Sequence, residues 1–218
     1  MREKFAYLSK ILGRTLAKAG DLIITNMLFI LCCIPVFTAG AAEAACYARL
    51  IRIARRGDEG LQIAAFFRDF RASFKKATLA WLLELACLIV FAGDIWFAVV
   101  YSDPDNKFFL IFAIIAAAAV LLAATWLYPL IARFDNTLGG HIKNSFLMVF
   151  ARFPATLLAF AVRAGMLAVP ILFFDAFVYL GWFWLLFGFS LPMYLTVKLM
   201  RKQLRCEPEK MEKGAGQD

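Results

Sequence analysis

Residues 108–131 read FFLIFAIIAAAAVLLAATWLYPLI and contain no charged side chain. This run is longer than the ~20 apolar residues that an α-helix needs to cross a bilayer. A second apolar stretch, ATLAWLLELACLIVFAGDIWFAVV at 77–100, precedes it, and only the short loop 101–107 lies between them. The sequence therefore predicts two consecutive transmembrane helices.

The rest of the 218-residue chain has the same character. Hydrophobic residues make up 63% of it and charged residues 18%, whereas soluble domains average about 45–50% and ~25%. A soluble domain of this size could not bury so much apolar surface, so the composition excludes a disordered chain, a secreted disulfide scaffold and a typical cytosolic enzyme. The predicted fold class is all-α, a polytopic helical membrane protein with about five transmembrane helices and additional amphipathic interfacial helices.

The predicted helices form a single membrane domain over residues 1–200, followed by a polar cytoplasmic tail at 201–218. The five predicted spans are 22–45, 77–100, 108–131, 154–179 and 182–199. Gly181 is assigned to a tight turn between the last two. The first span is interrupted, because Pro35 lacks a backbone donor and clashes with the preceding turn, and Gly40 loosens the same stretch. We expect the helix to break between these two residues.

Two amphipathic segments accompany the spans. In residues 1–20, apolar side chains recur at steps of three or four with a row of basic side chains beside them, as in a helix that lies at the membrane interface. Packing on the protein's own cytoplasmic face is an equally good interpretation of that helix. In residues 66–76, four phenylalanines share one helical face with basic residues alongside, which predicts a second interfacial helix.

The distribution of Lys and Arg predicts the orientation in the membrane. The loop 48–76 holds eight of them, whereas the loop 101–107 has only Lys107 against two aspartates. Cytoplasmic loops carry an excess of basic residues, so 48–76 and the C-terminus are predicted to be cytoplasmic. The basic N-terminus also favours the inside, which a hairpin over 22–56 would allow and a single crossing would not. Five spans is the preferred interpretation and the re-entrant hairpin, which other helices would have to cover, is the alternative.

Four ionisable residues lie inside the predicted spans: Glu84, Asp94, Arg163 and Asp175. Such a residue costs several kcal/mol in hydrocarbon unless it is paired or hydrated. Asp94 and Asp175 fall near the outer ends of their spans, where water reaches them. Glu84 and Arg163 fall at similar depth in the second and fourth spans, so we predict an ion pair between them. That pair could fix helix packing or belong to a solute pathway.

The basic residues of the 48–76 loop form a second candidate site, a cytoplasmic surface that docks a partner or contacts anionic lipids. Its members are Arg52, Arg55, Arg56, Arg68, Arg71, Lys75 and Lys76. Asp135 and Asn136, at the inner end of the third span, either cap the next helix or form a surface with this loop. Nucleic acid is not an expected partner, because the aromatic residues lie inside the apolar runs rather than between the basic ones.

No metal, cofactor or catalytic set is expected. His141 is the only histidine and no Cys-x-x-Cys pair occurs, so a multi-histidine metal site cannot form within one chain. A Ser/His/Asp set cannot be argued from a single histidine either. We therefore expect that the protein is not an enzyme.

Three segments, in order, resemble the YesL-like family of small bacterial integral membrane proteins, a domain of unknown function common in Gram-positive bacteria. They are GDLIITNMLFILCCIPVFTAGAAEAACY at 20–47, FFRDFRASFKKATLAW at 66–81 and YPLIARFDNTLGGHIKNSFLMVFARFPATLL at 128–158. The resemblance implies a location in the bacterial cytoplasmic membrane and an association with genes for carbohydrate uptake and polysaccharide degradation. It supplies no catalytic or ligand-binding residues.

The preferred functional hypothesis is a non-catalytic accessory or regulatory membrane protein linked to carbohydrate uptake or utilisation. Its expected partners are anionic lipids and a sugar ABC permease or another membrane protein. The alternative is a small-solute transporter or channel that uses Glu84 and Arg163, in which case the small chain would act as an oligomer. The sequence leaves the substrate, the partner and the oligomeric state open.

Overall fold

The structure, a computed structural model, describes residues 2–56, 63–101, 107–172 and 174–204. Eight α-helices and one 3₁₀ turn account for most of these residues, and no strand occurs among them. The helices are α1 (Arg2–Cys33), α2 (Ala39–Arg56), α3 (Ile63–Tyr101), α4 (Phe108–Arg133), α5 (Leu138–Ala151), α6 (Phe153–Leu172), α7 (Phe174–Phe187) and α8 (Ser190–Leu199). The predicted all-α class is confirmed.

Three helices of the described chain are long and apolar enough to cross a membrane alone: the part Thr15–Cys33 of α1, then α3 and α4. Two helix pairs meet the same criterion together: Leu138–Ala151 with Phe153–Gly165, bent by 107°, and Gly181–Phe187 with Ser190–Leu199, bent by 48°. Each pair is therefore either one broken span or a re-entrant loop. The resulting three to five spans agree with the predicted number of about five.

A break interrupts the first apolar segment. Residues 34–38 separate α1 from α2, which confirms the predicted break near Pro35 to Gly40. The hydroxyl of Thr38 donates to the carbonyl oxygen of Cys32 at 2.6 Å. This bond satisfies one of the carbonyls that the end of an α-helix leaves without a partner.

After the break the chain turns back on itself. Nη2 of Arg49 in α2 donates to Oδ1 of Asp21 in α1 at 2.8 Å, whereas a continuous helix would place these residues ~42 Å apart. α1 and α2 therefore form a hairpin. The prediction of a single crossing at 22–45 is wrong, and the alternative of a hairpin over 22–56 is correct.

The tip of this hairpin packs against the middle of α3. The indole of Trp81 donates to the carbonyl oxygen of Val36 at 2.8 Å. Gly40 lies so close to Ala77 that an added Cβ atom would collide with the Ala77 carbonyl oxygen. Beyond Trp81, α3 continues to Tyr101 for about 30 Å at 1.5 Å per residue. The tip of the hairpin therefore lies near the middle of α3 and well short of its far end.

α2 is the central helix of the bundle. It packs against α1, α3, α4 and α8, and the side chains of residues 41, 42, 44, 45 and 46 are completely buried. These are four alanines and a cysteine, and small side chains let helices approach closely where no hydrophobic effect drives them together. The surrounding helices supply the cover that a re-entrant backbone needs in a membrane.

The two predicted interfacial helices are parts of longer helices. Residues 66–76 belong to α3, where Phe66 is fully buried and Phe70 and Phe74 pack against the core. Their rings face the protein rather than lipid, because α2 turns back to cover them. Residues 1–20 likewise lead directly into α1, and the side chains up to residue 11 lie outside the described residues.

The C-terminal part of the bundle differs from the predicted boundaries. Gly181 lies inside α7, so the predicted turn there is wrong, and the chain changes helix between α6 and α7 instead. The predicted tail begins too early, because Leu204 is fully buried and residues 201–204 belong to the packed domain. Residues 205–218 lie outside the described part.

Asn26 of α1 satisfies the backbone where α7 gives way to α8. Its Oδ1 accepts from the backbone N–H groups of Phe189 and Ser190 at 2.9 Å each, and its Nδ2 donates to the carbonyl oxygen of Leu185 at 2.6 Å. Backbone groups released from a helix inside a membrane need such partners. Asn26 therefore links the hairpin to the last two helices.

Candidate functional site

The buried charges of the bundle meet beside α2. Nη1 and Nη2 of Arg163 in α6 donate to Oε1 and Oε2 of Glu43 in α2, at 2.5 and 3.0 Å. The side chain of Glu43 is 7% exposed and that of Arg163 is 22% exposed. A two-pronged contact of this kind is a strong form of ion pair, and it leaves neither charge uncompensated in the membrane domain.

Glu84 has a different partner. Its Oε2 accepts from the hydroxyl of Tyr128 at 2.6 Å, and the guanidinium of Arg163 lies 5.7 Å from the centre of the Tyr128 ring. The predicted Glu84–Arg163 ion pair is therefore wrong. The reason is the hairpin, which returns α2 to the centre of the bundle. Glu43 therefore occupies the position beside Arg163 that was predicted for Glu84.

A cavity of about 150 Å³ adjoins this ion pair. Glu43 and Arg163 form part of its wall, and the remaining wall is mostly aromatic and aliphatic. Its other lining residues include Phe29, Tyr47, Trp81, Phe189, Pro192 and Met193. Because the two charges satisfy each other, the cavity offers a ligand a largely apolar surface.

A larger cavity of about 540 Å³ lies between α2, α3 and the end of α4. We call it the basic groove. Small residues line it on two helices, Ala44 and Ala48 on α2 and Ala72 on α3. Its charged lining residues are Arg52, Arg55, Asp69, Lys76, Arg133 and Asp135.

Two ion pairs fix the edges of the basic groove. Nη2 of Arg52 lies 2.5 Å from Oδ2 of Asp69, and Nζ of Lys76 donates to Oδ1 of Asp135 at 2.6 Å. The hydrogen bond from Lys76 and its charge hold the pKa of the Asp135 carboxyl below its usual range. The Asp135 carboxyl is therefore ionised at neutral pH. The bridges tie α3 to α2 and to the loop after α4.

The other two basic residues of the groove have no carboxylate partner among the described residues. Nε of Arg133 donates to the carbonyl oxygen of Leu204 at 3.1 Å. Nε of Arg55 is buried and has no hydrogen-bond partner in the described chain. The groove thus combines two cations that pair with carboxylates and two that have no carboxylate partner in the described part of the chain.

The contact of Asp135 with Lys76 decides between the two roles considered for Asp135 and Asn136. The cap of α5 is Thr137, whose hydroxyl accepts from the backbone N–H of Gly140 at 3.2 Å. Asp135 instead forms a surface with the 48–76 segment, the second of the two alternatives. Asn136 supports the turn by accepting from the N–H of Thr137 at 2.8 Å.

The structure divides the predicted docking residues into two sets, of which one lines the basic groove. Arg52, Arg55 and Lys76 line the basic groove. The other set is on α3, where Arg68, Arg71 and Lys75 are exposed and do not line the groove. Arg56 is the last residue of α2, and its side chain lies outside the described residues.

Sequence reasoning missed the partner of Arg163 and half of the groove. Glu43 lies in the interrupted first segment, and the predicted single crossing did not place this segment next to α6. Asp69 and Arg133 line the groove with the predicted residues, and only the tertiary contacts of α2 with α3 and α4 bring them together. Among the described residues, no group of three His, Cys, Asp or Glu side chains could hold a metal ion.

Comparison with known proteins gives two matches. Residues 22–95 match the family described as "Protein of unknown function, DUF624". The chain is also 26% identical, over 188 residues, to the "Uncharacterized protein YesL" of Bacillus subtilis (strain 168). That alignment covers 86% of this chain and 85% of the relative. The chain is thus similar to YesL over most of its length, and residues 22–95 resemble this family.

The family match covers most of the α1–α2 hairpin and most of α3. It includes Glu43, Glu84 and the walls that α2 and α3 contribute to the basic groove, whereas Arg133 and Arg163 lie outside it. No solved structure matches the chain. Neither of the two matches names an activity, a substrate or a partner.

Proposed function

We propose that this YesL-like protein is a non-catalytic accessory component of the bacterial cytoplasmic membrane. It docks a partner protein through a basic row on α3 and assists carbohydrate uptake or utilisation. The basic row consists of Arg68, Arg71 and Lys75. The expected partner is a protein with an acidic cytoplasmic surface, such as a sugar ABC permease.

The observation that carries this proposal is the exposure of the row. Its three side chains follow each other at steps of three and four residues, which places them on one face of α3. All three are exposed, and none forms an ion pair with a described residue. Phe67 beside them is 43% exposed. An exposed aromatic residue next to exposed arginines is a composition typical of protein interfaces.

The position of the row also supports docking. α3 begins at Ile63, fourteen residues before its long apolar stretch, so the row stands on a helical extension of the membrane segment. Basic residues next to a span favour the cytoplasmic side. A positive row there complements an acidic partner surface and raises the rate of association. The link to carbohydrate rests on the family resemblance.

The buried charges support an accessory role more than a conducting one. Glu43 is bound by Arg163 and Glu84 by Tyr128, so each buried charge already has a partner inside the protein. Paired residues of this kind serve helix packing, whereas a solute pathway needs groups that are open to the solute.

Photo-crosslinking in cells tests the docking role. A photoreactive amino acid at position 67 is expected to crosslink a subunit of a sugar permease. The triple variant Arg68→Gln, Arg71→Gln, Lys75→Gln should lose that product. The control variant Lys143→Gln, Arg201→Gln, Lys202→Gln removes as many exposed charges elsewhere and should keep it. Equal crosslinking in both variants, or crosslinks to lipid alone, would refute docking by the row.

Transport is the second candidate, because the cavity beside Glu43 and Arg163 provides space within the bundle. Counterflow of sugars and ions into proteoliposomes with the purified protein separates the two functions. The accessory role predicts no flux above empty vesicles. Flux that is lost in Arg163→Gln and kept in a variant of the basic row would establish transport instead.

A further inference from the structure

We propose that the basic groove binds a ligand through a phosphate group. The phosphate belongs either to the headgroup of an anionic lipid or to a soluble phosphate ester, and the groove recognises the chemistry that the two share. The basic groove is separate from the basic row on α3. The phosphate-binding proposal is therefore tested independently of partner docking.

The size of the groove is the first argument. The groove opens to the protein surface and measures about 540 Å³. It stays open because alanines, Ala44, Ala48 and Ala72, occupy the helix faces where larger side chains would fill it. A phosphate with an organic group attached fits such a volume.

The charge of the groove is the second argument. Among the described lining residues, four cations from α2, α3 and α4 face two carboxylates, an excess of two positive charges. Asp69 and Asp135 do not neutralise all of this positive charge. They pair with Arg52 and Lys76 at the edges of the groove. Side chains that are already held in place lose less freedom when a ligand binds. The groove is therefore prepared to receive an anion.

The third argument is the buried Nε of Arg55, which has no hydrogen-bond partner in the described chain. A buried donor of a charged group is costly to leave unpaired, so its presence in an open groove points to an acceptor from outside. Guanidinium groups match phosphate oxygens through their planar set of N–H donors. Arg55 and Arg133, the two cations without a carboxylate partner, are the residues expected to make this contact.

Binding is measured on the purified full chain in nanodiscs of neutral phosphatidylcholine. The soluble probes are glycerol 3-phosphate, inorganic phosphate and, as a non-phosphate anion, a short poly-glutamate peptide. The lipid probe is phosphatidylglycerol, which is added to the nanodiscs and quantified on the protein by native mass spectrometry. Specific binding of glycerol 3-phosphate identifies a soluble ester, and retention of phosphatidylglycerol alone identifies a lipid headgroup.

Arg55→Gln should weaken binding of the successful probe about tenfold or more, the loss typical of a hydrogen bond to a charged group. The matched control Arg71→Gln removes one charge from the exposed face of α3 and should change affinity less than twofold. Ala72→Trp tests the site without changing its charge, because Ala72 is exposed at the groove and a bulky side chain there should block entry. Thermal unfolding confirms that each variant is folded.

Three results would overturn the proposal. The first is no binding of either phosphate source to the wild-type protein. The second is preference for the peptide over both phosphate probes. The third is equal binding by Ala72→Trp and wild type, which would place any bound phosphate elsewhere.

Discussion

Arg49 donates to Asp21 at 2.8 Å although 28 residues separate them in the chain. Both side chains are almost completely buried, so the ion pair fixes the two legs of the α1–α2 hairpin at the end opposite its tip. A single crossing would place the basic N-terminus and the basic 48–76 segment on opposite sides of the membrane. The hairpin that this ion pair fixes avoids that conflict. With a hairpin between them, both can occupy the side that the positive-inside rule favours.

The first prediction is that both flanks of the hairpin lie on the cytoplasmic side. Single cysteines at Gly13 and Gly57, in a background without the native cysteines, should resist an impermeant thiol reagent in intact cells. A cysteine at Asn106 should react, because the loop 101–107 is expected outside. Labelling at Gly13 as strong as at Asn106, with Gly57 protected, would restore the single crossing.

The second prediction concerns the polar contact between Asn26 and the α7–α8 break. Asn26→Leu keeps the approximate volume but removes the acceptor of two backbone N–H groups and the donor to Leu185. We expect a loss of about 2 kcal/mol or more in the free energy of unfolding, since buried unpaired groups cost ~1–3 kcal/mol each. Thermal or denaturant unfolding in detergent measures it.

Met27→Leu is the control for that substitution. Met27 follows Asn26 in α1 and is 46% exposed, so its replacement should change stability by less than about 0.5 kcal/mol. Equal effects of the two substitutions would mean that the hydrogen bonds of Asn26 do not hold the break.

The parts of the fold that hydropathy determines could be predicted from the sequence. α4 begins at the predicted residue and ends two residues after the predicted end. The prediction succeeds because a charge-free apolar run of this length forms a membrane-spanning helix in most membrane proteins. The break after Pro35 was also predictable, since it follows from the missing backbone donor of proline. The course of the chain after the break was not, because a crossing and a hairpin bury the same apolar residues.

The buried contacts depend on that course. Because α2 turns back, Arg163 pairs with Glu43 instead of Glu84. For the same reason Arg52 pairs with Asp69 instead of facing solvent. Local sequence carries no signal for either pairing, since all these residues have the spacing of ordinary helical positions. The helical spacing within α3 is enough to place Lys75 and Lys76 on different faces of the helix. Which of these faces contacts α2 is determined by the close packing of Gly40 against α3.

The third prediction concerns that packing. Gly40→Ala would place a Cβ atom against the Ala77 carbonyl oxygen and 2.6 Å from Cβ of Trp81. The backbone of α3 cannot yield as a flexible side chain would, so the hairpin must shift, at a cost of about 1–3 kcal/mol for overpacking. The expected outcome is a lower unfolding temperature and weaker burial of Trp81, which its fluorescence reports in a background where the other tryptophans are replaced by phenylalanine.

Gly93→Ala is the matched control in α3. Nothing lies within 4 Å of a Cβ atom added at Gly93, and alanine is favoured over glycine in a helix by up to ~1 kcal/mol. This substitution should leave stability unchanged or raise it. A similar loss at both glycines would show that helix flexibility, rather than contact with α3, is what Gly40 provides.

The last prediction is that Arg163 is energetically coupled to Glu43 more strongly than to Glu84. Breaking a buried ion pair by removing one partner typically costs about 3–5 kcal/mol, because the other charge is left alone, whereas removing both costs less. Glu43→Gln and Arg163→Gln should each reduce the amount and stability of folded protein in the membrane, and the double variant should recover part of the loss. Glu84→Gln weakens a hydrogen bond from Tyr128 and removes a charge that acts on Arg163 without a direct bond, so its combination with Arg163→Gln should be closer to additive. A larger interaction energy for the Glu84 cycle than for the Glu43 cycle would contradict the geometry of the buried charges.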